Sequence, residues 1–593
     1  MKKSEHADRF RSLEQDRYDV VVVGAGIGGL TAAALLALRG YSVLVLDQHY
    51  VAGGNATVFR RRGYEFDVGV HYIGDCAPDG SIPGILRAAG VDDVEFRPLD
   101  PDGFDTLVFP DFTFRVPRGI HRYRERLLEQ FPHERRGIDR YIRVLEQFDA
   151  LQGLAVKPRK AWKVLPRSLT ALRYATATLG SFLDTCTHDP KLRAVLAAEN
   201  GDYGQPPSRA SLMLHAGLML HYLKSGGYYP VGGGQVMSDR LADSIERSGG
   251  KILLCARVER IVVEDGCATG VVLFNKHVGR REVRAGTVIA NSDLKRTLLE
   301  LVGPEVLSPR TTERVGGYEM SPALGVVYLG IRGDLATEGL PNTNYWVSRS
   351  YDFERIYENT RAGRFDPDPL VYISIASLKD PENRRIAPPG MTNLQLMSLA
   401  PSQPESWGVT PAQVESGKYS KLADYQEHKA RYAERLIERA ERVLPGLRDR
   451  IVMQEVSTPL THSRYTLSSG GTSYGLSLIP SQFFHRRPGA KTEIENLYLC
   501  GASTRMGHGI MGAMMGGLEA ASQLVGRQIY AEALRRRPAD AGPAIPLRRT
   551  APPARGGRPA PGPGASAGPD GSRSTGAEPG PADRPPGSAR ANP

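Results

Sequence analysis

The chain has 593 residues, 41% of them hydrophobic and 24% charged, enough for a large buried core and more than one domain. Its formal charge of +11 is unevenly placed: from Arg535 onward ten arginines face four acids, and no nucleic-acid motif accompanies the surplus, so basicity gives no case for a nucleic-acid partner. Five cysteines with no C-x-x-C and no metal-ligand spacing argue against a disulfide framework or a metal site and point to a reducing compartment.

Residues 1–16 form a polar, charged leader with no apolar signal region, and no window reaches 18 consecutive apolar residues. The expectation is a cytoplasmic protein, with peripheral contact to a membrane as its variant. Val20 to Val23 then read as a strand buried on both faces. Gly24-Ala25-Gly26-Ile27-Gly28-Gly29 follows at once and fits G-x-G-x-x-G, a tight turn with bare backbone where a pyrophosphate can approach. A helix from about Ile27 to Arg39, stopped by Gly40, leads to a strand over Tyr41–Leu46. That strand ends at Asp47, placed to accept hydrogen bonds from a ribose.

Between 76 and 224 the pattern predicts strands at Thr106–Phe109 and Thr113–Val116 and a helical stretch over Tyr123–Phe148. Lys157 to Arg173 carries six cations and no acid, interleaved with Trp162, Leu165, Leu169 and Leu172 and broken by Pro166. Such a segment is either a solvated charged face or a membrane-interface element, and the second reading gives a membrane-surface contact through 157–174. Leu212–Leu223 reads as a buried helix or tunnel lining. The triple glycine at 232–234 is not a second dinucleotide fingerprint, because it lacks a preceding strand and the right spacing. After it come a helix over Ser238–Ser248 and strands over Lys251–Val258, Arg260–Val263, Val271–Phe274 and Thr287–Ala290. Strands at Tyr318–Arg332 and Leu370–Ser377 and a charged helix over Tyr419–Val443 follow. His462, Tyr465 and Tyr474 come just before the last buried strand, which places them beside the cofactor. From Pro538 onward 14 of 56 residues are proline, so 538–593 is expected to be a disordered Pro/Gly/Arg tail.

Two features choose FAD over NAD. The doublet Gly53-Gly54 follows the ribose acid, and the chain returns near its end with NLYLCGAST (496–504) and then RMGHGIMGAMMGGLEAASQLVG (505–526). A glycine-rich turn feeding a helix N-terminus offers N–H groups and a positive dipole end to the N1/O2 edge of a flavin.

With these motifs the chain resembles the FAD-dependent phytoene desaturase, carotenoid isomerase and retinol saturase group over roughly residues 17–530. Asp67-Val-Gly69-Val-His71-Tyr72-Ile-Gly74 is similar to a run in retinol saturases, as are Thr458–His462 and Gly470–Gly475, while GHGIMGAMMGG looks as much like the isomerase version. The resemblance implies an α/β fold: a Rossmann-type two-dinucleotide-binding FAD domain built from 17–75, 225–300 and 490–530, and an α+β substrate and membrane-access domain from 76–224 and 301–489. It assigns Gly24, Ala25, Gly26, Gly28, Gly29, Asp47, Gln48, Gly53, Gly54, Asn55, Val258, Gly501, Ala502, Ile510, Gly512 and Ala513 to FAD, with Val258 meeting the adenine through its backbone. It implies an oxidoreductase acting on C=C bonds of an apolar retinoid- or carotenoid-like polyene, with NAD(P)H, a quinone or O2 as external electron partner and no metal. The alternatives on the same fold are a carotenoid desaturase, a reduced-flavin cis–trans isomerase and a non-catalytic flavin-binding protein. Saturating a C=C bond needs a hydride at one carbon and a proton at the next. His71, Tyr72 and His508 are the candidate proton donors, the histidines because an unperturbed imidazole titrates near neutrality.

Overall fold

Residues Val20–Val23 have no solvent contact or nearly none and sit between two parallel neighbours, pairing Val21 with Leu44 on one side and with Val288 on the other. This β-branched run is the inner strand (Arg17–Val23) of a seven-stranded sheet. The strand order is 256–264, 267–275, 279–290, 17–23, 43–46, 251–253, with Leu497–Leu499 added beside 279–290. The 12-residue strand Gly279–Ala290 serves two purposes. Its first half closes an antiparallel meander with Cys267–Asn275, and its second half runs parallel to the first strand and to Leu497–Leu499. Segments far apart in the chain thereby deliver their carboxyl ends to one edge, where open α/β sheets bind ligands. The computed structural model describes Arg9 and residues 12–13, 15–156 and 161–534. Most of the expected leader, Lys157, Arg159 and Lys160 of the basic segment, and the tail at 538–593 lie outside these residues.

The first helix is Ile27–Ala37, buried along its whole length. Its small residues let the C-terminal helix Gly509–Val525 come close: a side-chain carbon at Gly517 would collide with the carbonyl of Gly28. A second seven-stranded sheet has the order 451–457, 323–332, 391–400, 371–374, 344–347, 105–108, 113–116, and all its pairs are antiparallel except 344–347 with 105–108. The two-residue period of its strands separates two tasks. Val327, Leu329 and Ile331 pack with Leu436 and Trp407 beneath helix Ala423–Ala440, while Val326 and Tyr328 face a large cavity. Helices Ile120–Gln130, Arg135–Val156 and Leu212–Ser225 share a further apolar core that closes the cavity from another side.

Several expected boundaries move, each for a local reason. The helical stretch at 123–148 is two helices, because Pro132 opens a short 3-10 turn after Phe131. The charged helix begins at Ala423 rather than Tyr419, after a 3-10 turn over Tyr419–Lys421. The strand expected over 251–258 breaks at Cys255, whose φ of 53° is left-handed, and then runs unbroken as Ala256–Glu264 with a bulge between Val258 and Arg260. A short strand, Tyr228–Pro230, does precede the triple glycine. It pairs antiparallel with Phe96–Pro98, outside the parallel sheet, and the helix after it starts at Gln235. Among the described residues no helix is long and apolar enough to cross a membrane.

Candidate active site

Three glycine-rich segments converge where the parallel strands end. Gly24 has a φ of 101° and donates its N–H to the Leu46 carbonyl at 2.7 Å, which turns the chain sharply into the first helix. The doublet folds back onto this turn: the Gly53 N–H donates to the Ala25 carbonyl at 2.7 Å, and a side chain on Gly54 would sit 3.1 Å from the Gly26 α-carbon. Gly28 faces the third segment, its virtual β-carbon 2.7 Å from the Ala513 carbonyl and 3.3 Å from Gly501. The shared post between them is Asn291, just past strand Gly279–Ala290. Its amide donates to the Gly24 carbonyl at 3.3 Å, accepts from the Cys500 thiol at 3.4 Å, and lies within 2.8 Å of the virtual β-carbons of Gly26, Gly28 and Gly501. No sequence motif announced Asn291. Its signal, a polar residue directly after a strand four buried residues deep, became legible only with the sheet order known.

These segments open into a cavity of about 1460 Å³, against roughly 300–1,000 Å³ for ordinary small-molecule sites. Gly24, Gly26, Gly28, Asp47, Gln48, Gly53, Gly54, Asn55 and Val258 line it, as do Gly501, Ala502, Ile510, Gly512, Ala513, His71, Tyr72 and His508. Ala25 and Gly29 do not. Ala25 donates its N–H to Asp47 Oδ2 at 2.7 Å, and any side chain on Gly29 would meet the Gly24 carbonyl, so these two shape the turn from behind. The other Asp47 oxygen accepts the His49 N–H at 2.7 Å. Burial pushes the Asp47 pKa up and the two N–H bonds oppose it, while each oxygen keeps a lone pair for a further donor. Gln48 donates to the Tyr465 carbonyl at 3.1 Å, and Asn55 Oδ1 lies 3.0 Å from His462 Nε2. These contacts draw His462 and Tyr465 to the edge of the cradle. The Tyr474 ring packs against His508 at a tilt of 39°, with ring centres 4.7 Å apart.

The helix Gly509–Val525 points its N-terminus into the cavity, and no side chain caps it. Arg487 stands behind the adjoining turn, 2% exposed, donating to the carbonyls of Ala502 at 2.8 Å and Thr504 at 2.9 Å. Burial lowers its pKa only to about 10, so it remains a cation beneath that turn. Sequence reading missed it because a single arginine in a loop carries no pattern.

Further from the cradle the walls become apolar and aromatic, with Phe148, Leu214, Leu218, Tyr222, Trp346 and Tyr372. The Tyr72 hydroxyl lies 2.6 Å from Asp202 Oδ2 and 3.1 Å from Asp105 Oδ2, and its ring stacks on Tyr222 at 4.4 Å. The buried Lys379 ammonium donates to the His71 carbonyl and Asn344 Oδ1 at 2.6 Å each and to Ser374 Oγ at 2.7 Å. The near-neutral titration expected of the histidines is not what the site creates. Burial pulls the His71 and His508 imidazoles down to about 3, with Lys379 and Arg487 as the nearby cations, so both rings are neutral at neutral pH. Among the described residues, His71 Nδ1, His508 Nε2 and Tyr372 Oη are buried at the cavity without a hydrogen-bond partner. Unpaired buried groups are costly, so those on this wall are open to pairing with a ligand.

Fold and cavity define an oxidoreductase of the Rossmann dinucleotide-binding class. Residues 22–88 match the NAD(P)-binding Rossmann-like domain. The chain is 30% identical over 543 residues to the all-trans-retinol 13,14-reductase of Danio rerio, covering 87% of each chain. It is 28% identical over 525 residues to prolycopene isomerase 1 of an Oncidium hybrid cultivar, covering 86% of this chain and 84% of the relative. Among solved structures, an oxidoreductase from Methanosarcina mazei superposes with a TM-score of 0.56 at 18% identity, over 84% of this chain and 98% of that one, which shows the shared fold. The chain belongs to the phytoene desaturase, carotenoid isomerase and all-trans-retinol 13,14-reductase family.

Proposed function

We propose that this protein is an FAD-dependent oxidoreductase that reduces a C=C bond of a polyene lipid, in the manner the name all-trans-retinol 13,14-reductase describes. The observation that carries the reading is one continuous cavity, polar and glycine-lined at one end and aromatic at the other. The glycine cradle fits an FAD pyrophosphate, and Asp47, Gln48 and Val258 fit the ribose and adenine. The uncapped helix end with Arg487 beneath it fits the flavin edge that becomes negative on reduction. When bound, FAD supplies a hydride. The chain's own part is to exclude water with Trp346, Tyr222 and Tyr372, to hold an apolar chain along those rings, and to move a proton from Tyr72, with His71 and His508 as neutral hydrogen-bonding groups at the same walls. Electrons are exchanged with an external partner, for which NAD(P)H, a quinone and O2 are the candidates.

The test is anaerobic. Protein reduced with dithionite and mixed with all-trans-retinol or a carotenoid is expected to reoxidise its flavin while the polyene band shifts to the blue. A second reading, cis–trans isomerisation, is favoured by the 28% identity to the prolycopene isomerase, and a changed isomer ratio with the flavin still reduced would establish it. Reduction of oxidised flavin by the polyene would make the protein a desaturase. A flavin that responds to no polyene sinks the polyene reading.

The same proposal includes capture of substrate from a membrane surface. Trp162 is 72% exposed and Leu169 67% exposed, on short helices that also carry Lys163, Arg167 and Arg173. The Ala171 N–H donates to Gln147 at 2.9 Å, docking this patch on the helix whose Phe148 and Gln152 line the cavity. Replacing both Trp162 and Leu169 by serine is expected to weaken binding to anionic vesicles by at least about tenfold, since each buried apolar side chain is worth about 1.5–3 kcal/mol. Unchanged co-sedimentation would remove this patch from the membrane contact.

A further inference from the structure

Asp202 lies among aromatic residues of the cavity. Asp202 sits on the wall, its Oδ2 bonded to Tyr72 and its other oxygen without a hydrogen-bond partner among the described residues. Among the described residues no cation forms an ion pair with it. Lys379 donates to Asn344 Oδ1, and the Asn344 amide in turn holds Asp105 Oδ1 at 2.9 Å, so the cation favours the charge of Asp105 at one remove. Glu199, 3% exposed, stands close by with one oxygen unpaired. Phenols complete the surroundings: Tyr72 and Tyr222 on one side, Tyr203, Tyr372 and Tyr474 on the others. The Tyr372 hydroxyl is itself buried, unpartnered and on the cavity wall.

Three carboxyls crowded together, with Asp105 and Glu199 buried and Asp202 on the cavity wall, resist being ionised together, because like charges repel and desolvation penalises the charged forms. Asp105 is held by the Asn344 amide and lies in the field of Lys379, so the negative charge resides on it. Asp202 and Glu199 have neither. Burial and the charge of Asp105 push Asp202 up to about 8. A neutral acid at a hydrogen-bond distance from a phenol can pass it a proton, and both groups face the cavity.

We propose that Asp202 is held as a neutral carboxylic acid and is the proton source of the tunnel, with Tyr72 as the group that passes the proton to substrate. The proposal rests on the polyene-reductase reading above and supplies its missing half. Bound reduced flavin would supply the hydride, and with it the electron pair, to one alkene carbon. The adjacent carbon gains the Tyr72 proton, forming the second C–H bond. The Tyr72 O–H is remade with the Asp202 proton, and Asp202, left as a carboxylate, takes its proton back from solvent once product leaves. The alkene thus gains two hydrogens, one as hydride and one as proton. Asp105 stays charged throughout and is a positioning residue, fixing the Tyr72 hydroxyl.

The test uses the flavin-loaded full chain and two near-isosteric variants, Asp202→Asn and Tyr72→Phe. Both are expected to keep bound flavin and to be reduced by dithionite. With all-trans-retinol, each should lose at least about 100-fold in kcat with KM little changed, the size of a lost general acid. The wild-type profile should fall as pH rises through about 8, and D202N should lack that limb. The readout independent of turnover is infrared. The wild-type minus D202N difference at pH 7 should contain a carboxylic-acid carbonyl band that converts to carboxylate with a midpoint about 8. Full kcat in D202N, or a carboxylate signature for Asp202 at pH 7, overturns the proposal. A wild type inert toward every polyene overturns the polyene reading instead, and the infrared titration still decides whether Asp202 carries the proton.

Discussion

Gly26→Val is expected to yield protein without bound flavin. The α-carbon of Gly26 lies 3.1 Å from the virtual β-carbon of Gly54, and its own β-carbon would fall 2.7 Å from the Asn291 amide nitrogen. Asn291 has nowhere to retreat, since the same amide bonds to Gly24 and Cys500 and stands against Gly28 and Gly501. The two methyls of valine would also project into the space the pyrophosphate needs. Overpacking of this kind costs about 1–3 kcal/mol and falls on the cradle itself, so cofactor affinity should fall roughly 5- to 150-fold. The ratio of visible to ultraviolet absorbance of the purified variant measures it. A folded variant with full flavin occupancy would overturn the assignment of this turn to the cofactor.

Lys379→Met is expected to be the most destabilising single change near the site. The Nζ group is fully buried and ties three elements together: the His71 carbonyl, the amide of Asn344 and the hydroxyl of Ser374. Methionine fills the space of the stem and satisfies none of these acceptors. It also leaves Asp67 and Asp105 without their nearby cation, and both carboxyls are already raised to about 6 by burial. Leaving buried acceptors unpaired costs about 1–3 kcal/mol each, which denaturant titration would read as a lowered midpoint. The pH dependence has a definite sign. Burial depresses Lys379 from 10.5 to about 7, so between those values the unfolded chain binds a proton that the folded chain does not. Stability from this group therefore rises as pH rises across that window, and the wild type should gain on K379M from pH 7 upward. An equal midpoint for the two proteins at every pH would show that the ammonium carries no structural load.

Tyr72 illustrates where sequence reading stopped. The D-x-G-x-H-Y-x-G run singled it out, but nothing local indicated that its hydroxyl would meet Asp202, 130 residues away, and Asp105, 33 residues away. His71 and His508 were singled out for a near-neutral pKa, and both titrate near 3 because burial, which no motif encodes, sets the proton affinity of an imidazole. Asn291, Arg487 and Lys379 belong to no motif at all. Each works by bridging segments that the second sheet and the return strand bring together.

The sequence by itself determined the α/β class, the first strand–turn–helix, the acid at Asp47, the glycine doublet and the returning C-terminal turn. These depend on short-range regularities: a buried β-branched run, glycines where backbone must be bare, and helical spacing of apolar residues. The tertiary structure alone decided which polar groups are buried, which of them share a cavity, and which acid has a cation beside it. Those are properties of long-range neighbours and local dielectric, and they set the chemistry of Tyr72, Asp202 and Asp105 in the tunnel.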